Sequence, residues 1–224
     1  AAQVIRDAII TGELKSGHRL PEQKWASRFG IGQPTIREAL KELEHQGFVE
    51  RRGRRGTYVT RLDERDYRCI LEVRLPLEAM AFRRAAYRVT PEIERELSAL
   101  VMKMASAGES NDLVMFHESD VAFHRRIWNL ADNKYLQMTL EALCFRLFVF
   151  AVVERSRSWF RPAVQQHLQF LEAVCSGDPK QAEEGFLSAT LRFWNAQYKV
   201  CIALEDLPNI GGLQGSEVPQ PAVR

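Results

Sequence analysis

Asp120 and His124 stand four residues apart, a spacing that puts both side chains on one side of a helix and suits chelation of a metal ion. Phe116, Phe123 and Ile127 recur there at helical spacing, so Asp120 shares an apolar face with His117 and His124 at its edge. His167 sits among Val164, Leu168, Leu171 and Val174, and Arg74 among Ile70, Leu77 and Ala81. A buried charge is costly unless it is paired, hydrogen-bonded or bound to metal. Three helices turning such groups inward therefore predict a polar cavity within an apolar bundle. Plainer roles exist: Arg74 could bridge Glu78 one turn later or line a dimer interface, and His167 could be a satisfied core histidine.

A second set of residues is suited to polyanions. Gln33, Thr35, Arg37 and Lys41 open a helical run that carries Ile36, Ala39, Leu40 and Leu43 on its other face. Arginine can read guanine bidentately, glutamine can read adenine, and threonine suits a phosphate or a thymine methyl. Further on, Arg52, Gly53, Arg54, Arg55 and Gly56 form a basic tip whose glycines let backbone approach a groove closely. The alternative is a solvated face, with Arg37 paired to Glu38 and Lys41 to Glu38 or Glu44.

The elements that would position these groups follow from periodicity. Val4, Ile5, Ala8 and Ile9 mark a helix ended by Gly12, and Gly17 and Pro21 bound a short connection anchored by Leu20. Trp25, Ala26 and Phe29 mark a second helix, stopped by Gly30. Pro34 suits the first turn of the third, which runs to Gly47. The order is a helix-turn-helix, and the β-prone runs 48–52 and 57–61 add a wing. After Arg61, helical periodicity predicts helices at about 63–87, 90–107, 111–130, 133–155, 161–176 and 178–204, with short breaks between them. The fold class is thus an N-terminal winged helix-turn-helix over 1–61 and an all-α antiparallel helix bundle over 62–205. Trp128, Trp159 and Trp194 are expected in the core or the pocket wall. The stretch from Leu207 to Arg224, with its glycines and prolines, reads as a flexible tail over 206–224.

Composition agrees with two modules. The 224 residues carry a net charge of only +2, but residues 1–61 hold 12 Lys+Arg against 7 Asp+Glu, a net of +5. The remainder holds 19 against 22, a net of −3, so the basic module is the one suited to nucleic acid. No apolar run approaches the roughly 20 residues of a membrane helix and no signal peptide opens the chain, which predicts a cytoplasmic protein without membrane contact. Cys69, Cys144, Cys175 and Cys201 lack metal-finger spacing and read as reduced core residues.

Particular runs carry a resemblance. Gly12 to Glu22 (GELKSGHRLPE), Pro34 to Leu43 (PTIREALKEL), Gly47-Phe48-Val49 and Arg55 to Val59 (RGTYV) resemble the winged helix of GntR-family bacterial transcription regulators. In that family, positions matching Thr35, Arg37 and the wing tip Gly53–Gly56 contact DNA. Gly32 stands where the family often has Ser or Thr, and Gln33 where it often has Arg, which bears on the operator sequence. Arg74 to Glu78 (RLPLE), Phe116 to His124 (FHESDVAFH), Asn133 to Leu136 (NKYL) and His167 look like the FCD effector domain of the FadR-type subfamily.

That resemblance implies a homodimer on a pseudo-palindromic double-stranded operator, with a small organic acid as effector near Arg74. It also implies zinc or another divalent transition metal held by an Asp and three His, matched here by Asp120, His124 and His167. The fourth place falls on Ala189, which cannot ligate. Three ligands plus water or an effector carboxylate could form an open site, or the residues could bind an effector without metal. His117 stands as a substitute ligand or an outer partner. Two rivals remain: a constitutive DNA-binding dimer, and a metal-dependent enzyme, for which the sequence offers no separate nucleophile or general base.

Overall fold

The computed structural model describes residues 1–153 and 159–198. The first module is built from α1 (Ala2–Ile10), α2 (Glu22–Phe29) and α3 (Gln33–His45), followed by β1 (Val49–Arg51) and β2 (Thr57–Val59). Ile5, Ile9, Ile36, Leu40, Leu43 and Val59 converge in its core, each being the inward member of a helical or alternating pattern. Gly30 ends α2 in the left-handed conformation, φ 65°, and Pro34 lies in the first turn of α3. Val4 is exposed despite its place in the apolar pattern of α1.

The strands pair antiparallel, Val49 with Val59 and Arg51 with Thr57, around a single 3₁₀ turn at Gly53–Arg55. A third edge joins them that periodicity does not reveal. Leu20 N–H donates to Thr57 O at 2.8 Å, Val59 N–H to His18 O at 2.8 Å and Gly17 N–H to Val59 O at 3.0 Å. The connection at 17–20 therefore braces the wing, but it is too short to show an alternating pattern.

The second module is helical throughout its described length: α4 (Glu64–Ala86), α5 (Pro91–Ser110), α6 (Leu113–Leu130), α7 (Lys134–Val153), α8 (Phe160–Cys175) and α9 (Pro179–Tyr198). Residues 206–224, read as a tail, lie outside the described residues, as does Cys201. Asp63 caps α4 reciprocally with Asp66, each side chain accepting the other's backbone N–H at 2.9 Å. The helix continues through Pro76, which has no N–H to donate, because flanking residues such as Leu75 and Ala79 are buried against the bundle. Trp128, Trp159 and Trp194 are buried as expected. Cys144 is buried but Cys69 is exposed and Cys175 half-buried, which corrects the reading of all four cysteines as core residues.

One apolar stripe is also corrected. The buried face of α8 carries Ala163, Gln166, His167, Phe170 and Val174, whereas Leu168 is 42% exposed. Two partly apolar stripes run along this helix, and packing against α5, α9 and α4 selects one of them.

The modules meet where α1 and the turn after α3 lie against α6 and α7. Arg6 reaches Glu118 at 2.7 Å, and Phe48 packs edge-on to His117 with ring centroids 5.4 Å apart. Gly47 has φ 79°, and a Cβ there would lie 2.7 Å from the backbone N of Arg146 on α7. Only glycine meets both demands, the left-handed turn and the close approach.

Candidate functional site

Helix α6 turns Asp120 and His124 to the interior because Phe116, Phe123 and Ile127 on the same face are fully buried. Helix α8 brings His167 to the same place, and α4 brings Arg74 and Glu78. Arg74 is 3% exposed and Glu78 is 0% exposed, so neither charge is stabilised by water. Glu78 is the centre of this network. Its Oε2 accepts from Arg74 Nε at 2.6 Å, and its Oε1 accepts from His124 Nδ1 at 2.6 Å and from Trp128 Nε1 at 2.9 Å. The plainer role of Arg74, a bridge to Glu78, is thus the one formed.

The proton positions follow from these partners. Burial opposes ionisation of Glu78, but Arg74 and His124 beside it hold its carboxyl at about 2. An ionised carboxylate only accepts, so the hydrogen of His124 is on Nδ1. Nδ1 of His167 lies 2.8 Å from the carbonyl of Ala163, which also only accepts. In the neutral rings both Nε2 lone pairs then face Asp120 Oδ1, at 3.6 Å for His124 and 2.9 Å for His167. Neither Asp120 Oδ1 nor His167 Nε2 has an aligned hydrogen-bond partner among the described residues, despite their proximity. Lone pairs that face one another repel, so a proton or a cation belongs between them.

The three residues fit a metal by this test. Their ligating atoms all lie within 4.8 Å of one another and all three side chains are buried. With neutral imidazoles, Arg74, Glu78 and Asp120 leave one net negative charge inside the bundle, which favours a cation there. Burial disfavours charging His124, as a ligand requires. Ala189 is buried and brings no donor. His117 does not join the ligating group and packs against Phe48 instead.

The sequence analysis assigns Glu78 only the Arg74 bridge and places Trp128 in the core or the pocket wall without a polar partner. The signal available was spacing, since Glu78 follows Arg74, and Trp128 follows His124, by one helical turn. Cys144 on α7 is a further neighbour, close enough to interact electrostatically with Arg74, Glu78 and Asp120, and burial pushes its thiol up.

The second candidate face is on the first module. Gln33, Thr35, Arg37 and Lys41 are exposed on α3, as are Arg52, Gly53, Arg54 and Arg55 at the wing tip, with Gly56 half-buried. Arg37 donates to Glu22 at 2.9 Å rather than to Glu38, and Lys41 pairs with Glu38 at 2.7 Å. The Arg37 hydrogen bond holds the Glu22 carboxyl below its usual range. Arg52 pairs with Glu50 at 2.6 Å and lies over the Tyr58 ring at 4.7 Å. Exposed pairs of this kind are worth little, so each arginine can exchange its carboxylate for a phosphate or a base.

Acid is expected to destabilise the protein in two stages. Unfolded, His117 takes up a proton below about 6.5, while burial, with Arg6 nearby, lowers the folded value to about 4. Stability from this residue is complete above 6.5 and is lost as the pH falls towards 4, by about 3 kcal/mol. Glu78 adds a second loss between 4.5 and about 2, where the unfolded carboxyl protonates first. Urea unfolding at a series of pH values measures both stages, and His117→Phe is expected to flatten the first.

Comparison with known proteins adds to this geometry. Residues 1–59 match the model of the bacterial regulatory proteins, gntR family, and residues 69–188 match that of the FCD domain. The chain is 30% identical over 186 residues to the "Probable D-xylose utilization operon transcriptional repressor" of Paenarthrobacter nicotinovorans, covering 81% of this chain and 82% of that one. It is 33% identical over 134 residues to the gluconate operon transcriptional repressor of Bacillus licheniformis, covering 60% and 55%. Its fold is similar to that of E. coli McbR/YncC, with a TM-score of 0.71, 21% identity, and 88% and 95% of the two chains covered.

Proposed function

This chain belongs to the GntR family of bacterial regulatory proteins and is a DNA-binding transcription regulator with an FCD domain, and from that premise we propose that a small carboxylic acid bound in its bundle modulates operator binding. The observation that carries the proposal is the buried Asp120, His124 and His167 group, whose facing lone pairs call for a cation. Those three residues would hold zinc or a similar divalent ion, and that ion would supply a Lewis-acidic anchor for an acid in the place left by Ala189. Arg74 is the cationic side chain next to this group. A carboxylate that drew Arg74 from Glu78 would also disturb His124, because the same glutamate binds both.

Helix α6 connects this group to the winged helix. One part of it carries Asp120 and His124, while His117 and Glu118 touch Phe48 and Arg6 of the winged helix. An effector that prefers one arrangement of the modules would shift operator affinity by its difference in affinity for the two. Two chains would bind a pseudo-palindromic operator, α3 entering the major groove through Gln33, Thr35, Arg37 and Lys41. Arg52, Arg54 and Arg55, with Gly53 and Gly56, would follow the phosphates of the adjacent groove. Among the described residues no helix is long and apolar enough to cross a membrane, and action on DNA would place the protein in the cytoplasm.

An operator obtained by in vitro selection from random duplexes provides the test, with affinity read by fluorescence anisotropy. Arg37→Ala is expected to weaken it by about 1–3 kcal/mol and to relax preference at one base pair, whereas Arg54→Ala should weaken all sequences alike and lower the salt slope by about one. A panel of small carboxylates is then titrated with and without zinc. It includes gluconate, for which a relative's operon is named. An acid that changes wild-type affinity about tenfold but leaves the His167→Ala protein unmoved supports the proposal. Operator binding indifferent to every acid and metal would leave a constitutive dimer.

A further inference from the structure

A half-open cavity of about 200 Å³ lies at the junction of the two modules. Arg6 of α1 and Phe48 of the turn before β1 wall it from the winged helix. His117, Ala122 and Arg125 of α6, with Phe145 of α7, wall it from the bundle. None of Asp120, His124 and His167 lines it. We propose that this cavity is a second ligand site, distinct from the buried cluster, for a small carboxylic acid with a flat apolar body.

The wall chemistry sets the ligand class. Phe48, Phe145 and Ala122 are apolar surfaces that suit a ring. Arg6 and Arg125 line the cavity as its two cations and Glu118 as its one carboxylate, and both arginines are held in place by carboxylates. Arg6 donates to Glu118 at 2.7 Å and to Asp7 at 3.4 Å, and Arg125 donates to Glu141 at 2.9 Å while lying 5.1 Å over the Phe145 ring. A guanidinium carries five N–H groups; among the described residues, two of those on Arg6 and one on Arg125 are engaged. Both arginines therefore keep donors for an incoming carboxylate.

His117 is the independent sign of a missing partner. It is 6% exposed, and its Nδ1 is buried without a hydrogen-bond partner among the described residues. An unmet buried nitrogen of this kind costs about 1–3 kcal/mol, and a turn of the imidazole toward the cavity it lines would let a ligand oxygen recover it. The volume is below the range of about 300–1,000 Å³ that drug-sized ligands occupy, so it suits one ring bearing one acid group. Such an occupant touches both modules at once. It would stabilise their docked arrangement, whatever acid the bundle takes.

Benzoate is the probe, with acetate and benzyl alcohol as controls for ring and charge, titrated calorimetrically into the full chain. The expected result is one benzoate per chain, with each control bound about tenfold more weakly or less. Ala122→Phe, which fills the half-buried wall, is expected to abolish binding. Arg125→Glu, at a side chain 45% exposed, is expected to weaken it at least about tenfold without unfolding the protein. Asp120→Ala is expected to leave it within about twofold. Absence of benzoate binding at about 5 mM overturns the proposal. So does binding that survives Arg125→Glu, and so does binding that disappears in Asp120→Ala, which would move the acid into the bundle.

Discussion

Glu78→Ala is expected to destabilise the protein by about 3–5 kcal/mol, a large part of the roughly 5–15 kcal/mol that holds a domain of this kind folded. The glutamate is 0% exposed, and three donors converge on it. Removing it takes away the carboxylate to which Arg74, His124 and Trp128 all donate. A buried pair adds little net stability compared with apolar packing, but breaking one side of it strands a charge, and that term decides the outcome. Arg74→Met combined with Glu78→Leu is therefore expected to be less destabilising than Glu78→Ala alone. Urea unfolding followed by circular dichroism measures the three proteins. A loss below about 1 kcal/mol in Glu78→Ala would mean that the network does not support the bundle.

Asp120→Ala is expected to reduce metal content from about one ion per chain to a small fraction after dialysis against zinc, read by elemental mass spectrometry. The effect should exceed the roughly 10–100-fold loss of affinity that follows removal of an outer partner, because a ligand itself is removed. Two imidazoles would remain, and among the described residues the ligating group has no fourth member. The same substitution relieves the facing lone pairs, so the metal-free protein is not expected to lose stability as Glu78→Ala does. That contrast separates a ligand from a structural residue. Wild-type protein that holds no metal even after reconstitution would sink the metal reading, and Arg74 and the histidines would then be examined as a direct acid pocket.

The helix-turn-helix, the wing and the six bundle helices were legible because each rests on interactions between residues near in sequence. Gly30, Gly47 and Thr90-Pro91 end or begin helices where periodicity predicted breaks, and Pro34 opens α3. The brace at 17–20 was not legible, because its ladder pairs four residues with a strand forty positions away. On α8 the pattern pointed to Leu168 and Leu171, while the bundle buries Ala163, Gln166 and Phe170 beside His167. Cys69 looked like a core residue by type and lies on the outside.

The sequence by itself determined which groups are available: Asp120 and His124 on one side of one helix, a basic wing, and an alanine at position 189. Helical spacing is local, set by backbone geometry, so it can be read without knowing the neighbours. Only the tertiary structure decided what those groups do to one another. Glu78 meets His124 across 46 positions and Trp128 across 50, and His167 reaches Asp120 from another helix. Those contacts set the tautomers, turn two lone pairs onto one carboxylate, and seat His117 against Phe48 at the junction. They depend on the rotation and crossing of packed helices, which arise from the fit of whole apolar surfaces and are encoded in no single stretch of the chain.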